Sequence, residues 1–167
     1  YRKFIVNLPP SYTSTSNIPL VYVLHGGGGD ALAFKNKYKF DEIGDTANYI
    51  TVFPYGLNSS WAVGSGYSSS DSANVDDVGF LGTLKDSLIS SYSIDSMRVY
   101  VAGASKGGLM TQRLACQTPH KFAAFAAIAS NVPDSALYVC NPQCAVPILV
   151  MNGTKDSLMY YYGGLGP

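Results

Sequence analysis

The residues whose types and spacing could do chemistry together are Ser105, Asp156 and a run of glycines after His25. Gly103-Ala104-Ser105-Lys106-Gly107 is a G-x-S-x-G pentapeptide. A serine hydroxyl is a weak nucleophile at its free pKa and needs an adjacent base to activate it. A sharp strand-to-helix turn exposes that hydroxyl, and the flanking residues must be tiny because neighbouring backbone passes close by. An incidental serine in a glycine-rich turn is the alternative. The apolar segment 98–102 before the motif and the helical segment 106–117 after it favour the first reading. A helix N-terminus also attracts negative charge, so the Lys106 amide is a candidate donor to an oxyanion.

His25-Gly26-Gly27-Gly28-Gly29 follows the apolar run 20–24. Glycines let backbone approach a bound acyl group and aim amides at it. The Gly27 amide is the first candidate for a second oxyanion donor and the Gly28 amide the next. A phosphate-cradling loop would continue into Gly-Lys-Ser/Thr, which is lacking here. His25 itself reads as a brace for the loop. Asn152-Gly153-Thr154-Lys155-Asp156 follows a late apolar run, so Asp156 falls in a loop at a strand's C-terminal end, where ligand sites of open α/β sheets lie. A carboxylate there can hold an imidazole in the required tautomer. A solvated turn aspartate is the other reading. Trp61, the sole tryptophan, suits either a substrate-pocket wall or the core.

These groups need a scaffold, and the hydrophobic pattern predicts one. Strands are expected at 2–8, 20–24, 49–53, 98–102, 123–129 and 146–151. Short apolar runs bounded by turn residues suit strands covered on both faces. Helical stretches are expected within 31–48 and at 106–117. A further helix opens at Asp76 and Asp77, with Val78, Leu81, Leu84 and Leu88 as its apolar stripe. Residues 55–75, rich in Gly, Ser and Asn, read as a long loop of functional character. Alternating strands and helices call for a doubly wound, mostly parallel sheet with helices on both faces. The 167 residues form one domain, 1–167, without an internal repeat.

Composition narrows the partners. Eleven basic residues balance eleven acidic ones, so no basic field exists to hold nucleic acid or an anionic membrane. No apolar run approaches the roughly 20 residues that span a bilayer. Cys116, Cys140 and Cys144 lack metal-ligand spacing and histidine partners, so no metal is expected, nor any organic cofactor. From the residues alone, three free thiols and one disulfide with a leftover thiol both remain open.

In this setting the chain resembles the polyhydroxybutyrate depolymerase and feruloyl/acetylxylan esterase group of α/β-hydrolases. The resemblance is carried in order by YRKFIVNLPPSY (1–12), PLVYVLHGGGGD (19–30), VFPYGLNSSW (52–61), DDVGFL (76–81), RVYVAGASKGGLMTQRLAC (98–116), FAAFAAIAS (122–130) and PILVMNGTKD (147–156). It implies a secreted ester hydrolase acting on a small-molecule or polymeric ester, with Ser105 as nucleophile and Asp156 as triad acid. It places the oxyanion hole at the amides of Gly27 and Lys106 and sets Trp61 near the substrate cleft. It also implies a Cys116–Cys140 disulfide, with Cys144 extra. Lys106-Gly107-Gly108 departs from the group's usual Asn-Gly-Gly, which a backbone role tolerates.

The triad order of that fold is serine, acid, histidine. Asp156 is followed by eleven residues, none of them histidine. His120 is the one histidine after Ser105, and it is expected at the opposite edge of the sheet, before a strand begins. The expected fold is therefore an α/β-hydrolase sheet truncated at its C-terminus, without the last strand and the histidine-bearing loop. Three readings follow: a fragment, a base supplied by a different chain, or a catalytically impaired, hydrolase-derived binding module. A shortened sheet would also leave an edge near 146–151 open to another copy.

Overall fold

The apolar runs pair into one six-stranded sheet, described by a computed structural model over residues 1–66, 68–132, 140 and 144–164. The strands are β1 (Phe4–Asn7), β2 (Ile18–Leu24), β3 (Ile50–Pro54), β4 (Ile94–Ala104), β5 (Ala124–Ile128) and β6 (Ile148–Met151). Their spatial order is β1-β3-β2-β4-β5-β6, parallel except for the antiparallel β1 at one edge. The helices are α1 (Ala31–Tyr38), α2 (Phe40–Ala47), the one-turn α3 (Ser69–Ser72), α4 (Asp77–Ser91) and α5 (Lys106–Gln117).

Chain direction explains the two layers. The crossover from β2 to β3 moves one way along the sheet, whereas those into β4 and β5 move the other way. Right-handed crossovers then put their helices on opposite faces. Val23, Ala31 and Phe53 form a small core with Phe34 and Phe40 on the α1–α2 side. Leu20, Tyr22, Leu24, Leu81, Leu109 and Met110 belong to the larger core on the α4–α5 side. The reversal falls between β2 and β4, so their C-terminal ends form the crevice where open α/β sheets bind ligands.

Several expectations need adjustment. β1 is shorter than 2–8, because only Phe4–Asn7 pairs with β3. β4 begins at Ile94 instead of residue 98, because Ile94 pairs with Ile18 ahead of a register shift. The segment 55–75 is not a plain loop. It contains a 3₁₀ turn at Leu57–Ser59 and α3, and it buries Ser60, Trp61, Ala62 and Val63. Of the two acids expected to open α4, Asp76 caps the helix by accepting from the Gly79 amide at 2.8 Å. Asp77 is buried: one oxygen pairs with Arg2 and the other accepts from the Ala62 amide at 2.7 Å. The Arg2 guanidinium also stacks over Phe80, 4.0 Å from the ring centroid. Asp77 thus ties the chain's start, the 55–75 segment and α4 together.

Cys116 at the end of α5 is bonded to Cys140, and Cys144 is a free, exposed thiol. β6 is apolar, as expected of an inner strand, yet all four of its residues are exposed. Among the described residues no helix is long and apolar enough to cross a membrane, and no cluster of potential metal ligands occurs.

Removing one member of a buried ion pair strands the other charge, which costs about 3–5 kcal/mol. Asp77→Ala is therefore expected to lower unfolding free energy by that order in urea titration. Asp76→Ala, which removes only a cap, should cost about 1 kcal/mol.

Candidate active site

Ser105 lies between the last residue of β4 and the first turn of α5, with φ 54° and ψ −122°. A non-glycine residue held in so sparsely populated a region costs on the order of 1–3 kcal/mol and persists only when its surroundings over-determine it. They do so here. The Ser105 amide donates to the Ile128 carbonyl at 2.8 Å, and the Ser105 carbonyl accepts from the Leu109 amide at 3.0 Å. A Cβ on Gly103 would lie 2.3 Å from the Gly107 carbonyl oxygen, and one on Gly107 would lie 2.2 Å from the Leu24 carbonyl oxygen. The elbow is thus pressed directly against the end of β2, and the G-x-S-x-G glycines are required by contact with backbone.

The register Leu24↔Gly103 sets the glycine run beside this elbow. A Cβ on Gly26 would come within 3.9 Å of the Ser105 Oγ, and one on Gly27 within 3.0 Å of the Lys106 Cδ. Gly28 adopts φ 71° and donates to the Ser59 carbonyl at 2.8 Å, and Gly29 donates to the Gly26 carbonyl at 3.3 Å. The amides of Gly28 and Gly29 are therefore used within the loop. Among the described residues the Gly27 amide makes no backbone hydrogen bond, and the Lys106 amide, in the first turn of α5, has no intrahelical acceptor. Of the two glycines weighed as donors, Gly27 is the one left available. A cleft of about 270 Å³ opens over this junction, walled by Gly26, Gly27, Phe34, Lys37, Tyr38 and Ser105.

His25 is 1 % exposed, and both ring nitrogens are occupied. Nε2 accepts from the Gly56 amide at 2.9 Å, so the ring hydrogen resides on Nδ1, which donates to the Gly26 carbonyl at 2.7 Å. The brace expected from sequence is in place, and no nitrogen is left to act on Ser105. Burial holds its pKa below the usual histidine value, against opposing contributions from the Gly26 carbonyl, Asp30 and Asp77.

Trp61 does not face the cleft. It is fully buried, donates its indole N–H to the His25 carbonyl at 2.8 Å, and packs against the His25 ring with centroids 5.0 Å apart. The substrate-wall placement is corrected to a core one: the indole supports the glycine loop from behind.

Asp156 lies past the C-terminal end of β6, two strands from Ser105 on the same edge of the sheet. Its Oδ1 accepts from the Leu158 and Met159 amides, both at 2.9 Å. Those bonds, the Met159 one foremost, hold the carboxyl ionised below its usual pKa. No hydrogen bond joins it to Ser105 or to either histidine among the described residues. His120 is exposed in the turn before β5, at the opposite edge.

Two supporting side chains were not singled out from sequence. Asn152 accepts from the Ser130 amide at 2.9 Å and donates to Asn131 Oδ1 at 2.9 Å, locking the ends of β5 and β6 together. Gln112 on α5 donates to the carbonyl and hydroxyl of Ser130, both at 3.1 Å. Asn152 stood in the noticed turn motif, but nothing there revealed its partner. A larger apolar cavity of about 570 Å³ lies between α5 and β6 and does not include Ser105.

Two outcomes follow from this geometry. Glycine tolerates the Ser105 backbone without penalty. Ser105→Gly should therefore be more stable than Ser105→Ala by about 1 kcal/mol in chemical denaturation. The native state disfavours a proton on His25 that the unfolded chain accepts. Stability is accordingly full above pH ~6.5 and falls as pH drops through that value, by at most about 1.4 kcal/mol per pH unit, until the lower folded pKa is passed. Urea titrations between pH 7.5 and 5 should show this slope, and His25→Gln should flatten it.

Comparison with known proteins agrees with this arrangement. A family model described as putative esterase matches residues 1–159. The chain is 29% identical over 145 residues to the bifunctional acetylxylan esterase/xylanase XynS20E of Neocallimastix patriciarum, covering 87% of this chain and 20% of that protein. It is 30% identical over 145 residues to the putative esterase NocK of Nocardia uniformis subsp. tsuyamanensis, covering 87% and 42%. It is 29% identical over 172 residues to feruloyl esterase B of Piromyces equi, covering 98% and 31%. The chain thus spans less than half the length of each of these relatives. Among solved structures, a thermostable esterase superposes with a TM-score of 0.66 at 20% identity, over 95% of this chain and 44% of that one. An acetyl xylan esterase from Aspergillus awamori superposes with a TM-score of 0.59 at 24% identity, over 74% and 45%. These likenesses bear out the mostly parallel α/β-hydrolase sheet, and with the match over residues 1–159 the chain belongs to the putative esterase family.

Proposed function

We propose that this chain carries the nucleophile half of a serine carboxylesterase, in which Ser105 forms the acyl-enzyme. The observation that supports it most is the strained Ser105 backbone, pressed against a glycine loop whose Gly27 amide is unused. Such strain costs stability and is found where a site requires it.

The reaction runs in two balanced halves. Ser105 Oγ attacks the ester carbonyl carbon while its proton passes to a base. The carbonyl oxygen becomes an oxyanion, held by the amides of Gly27 and Lys106. The C–O bond to the alcohol breaks, and the alcohol leaves with the proton. Water then attacks the acyl-enzyme in the same manner and releases the acid. Asp156 is the carboxylate that orients the base, reached by a rotation that gives up its bonds to the Leu158 and Met159 amides. The base is a histidine from outside these 167 residues, since His25 has both nitrogens engaged and His120 lies at the far edge.

The names of the relatives favour feruloyl or acetylxylan-type esters; the motif resemblance adds polyhydroxyalkanoate esters as a further class. Secretion accords with that substrate and with the Cys116–Cys140 disulfide. The open edge of β6 is where another copy would pair. A second reading, a binding module that holds esters without cleaving them, is favoured by one observation: among the described residues no histidine reaches Ser105.

A p-nitrophenyl acetate assay separates the two. Removing a triad histidine costs on the order of a million-fold in a comparable enzyme, leaving a residual rate of about 10³–10⁴ over water. The chain alone is expected to show only that residue. After subtraction of the protein-free reaction of imidazole with the ester, added imidazole should raise the rate in the unaltered chain but not in Ser105→Ala. An enzyme-dependent imidazole-stimulated rate that ignores the Ser105→Ala change would overturn the hydrolase reading.

A further inference from the structure

One wall of the Ser105 cleft is the cleft-facing side of α1, where Phe34 and Tyr38 meet with ring centroids 4.4 Å apart. Lys37 lines the same cleft with its ammonium 5.3 Å from the Tyr38 ring centroid, held over the aromatic surface by cation–π attraction. Next to Gly27, which lines the cleft, the Lys106 stem folds back along the glycine loop. Its Cδ, Cβ and Cε lie 3.0, 3.6 and 3.8 Å from where a Gly27 Cβ would be.

The neighbouring lysines are neutralised: Lys35 pairs with Asp41 and Lys39 with Glu42. Neither Lys37 nor Lys106 enters an ion pair among the described residues. The opposing acid in the cleft is Asp30, whose Oδ1 is committed to the Ala33 amide at 2.8 Å as the cap of α1. The positive N-terminus of α5 adds to the field of the lysines. An aromatic surface beside two uncompensated cations matches a flat apolar group bearing a carboxylate.

We propose that Lys37 and Lys106 make the Ser105 cleft selective for esters that also carry a carboxylate on a flat, aromatic part of the molecule. This concerns which ester is preferred and rests on the reading of Ser105 as the reacting group. The aromatic ring lies against Phe34 and Tyr38, and the carboxylate meets the two ammonium groups. Neutral esters lack the second contact and bind more weakly.

The probes are monomethyl terephthalate and its primary amide, which share a ring and an ester and differ by one charge. Each is titrated into the 167-residue chain with the Ser105→Ala change, while the Gly26 and Gly27 amide resonances are followed by NMR. At low salt the acid is expected to bind about tenfold more tightly than the amide. Lys37→Gln and Lys106→Gln should each weaken acid binding about threefold, as one partly exposed charge contact does, and leave amide binding unchanged. Asp30→Asn keeps a capping side chain and should strengthen acid binding by a similar factor. Raising salt to ~0.5 M should erase most of the preference.

Equal binding of acid and amide at low salt overturns the proposal. So does a preference that survives both lysine changes together, or the absence of any shift at Gly26 and Gly27. Charge preference without Ser105-dependent turnover in the presence of added imidazole leaves the selectivity standing and removes the hydrolase reading. Turnover without charge preference does the reverse.

Discussion

The site depends on a direct backbone-to-backbone contact between the Ser105 elbow and the end of β2. Gly107 approaches the Leu24 and His25 carbonyls so closely that a single Cβ would overlap both. That contact forces the turn to be tight, which pushes Ser105 into its unfavourable φ and ψ and lifts its hydroxyl toward the glycine loop. Because β2 and β4 are adjacent parallel strands on either side of a topological reversal, the two loops leave the sheet side by side. The Ser105 hydroxyl and the glycine loop thus come together at low additional entropy cost, since the sheet has already fixed their ends.

The glycine loop would be soft alone, and a chain of buried polar contacts behind it stiffens it. His25 spans from Gly26 to Gly56, and Trp61 holds the His25 carbonyl. The Ala62 amide is bound by Asp77, and Asp77 is paired with Arg2 near the chain's start. Each member bonds the next, and the buried Asp77 carboxylate has both oxygens engaged. The one tryptophan supports the glycine loop from behind, through its N–H on the His25 carbonyl and its packing against the His25 ring.

The other end of the sheet is built differently. β6 exposes Ile148, Leu149, Val150 and Met151 although they are as apolar as the residues of inner strands. Asp156 follows this strand and satisfies its carboxylate locally, through the Leu158 and Met159 amides.

Much of this was legible in the residues. Short apolar runs, proline stops and glycine turns specify the strands and the tight turn at Ser105, because these are local consequences of backbone sterics and burial. The G-x-S-x-G and glycine-run motifs carry their own geometry for the same reason. Local pattern could not say that Asp77 pairs with Arg2, 75 residues away, or that Asn152 ties β5 to β6. Nor could it choose between wall and core for Trp61. Those outcomes depend on which side chains meet once the sheet has assembled, and only the packed structure decides that.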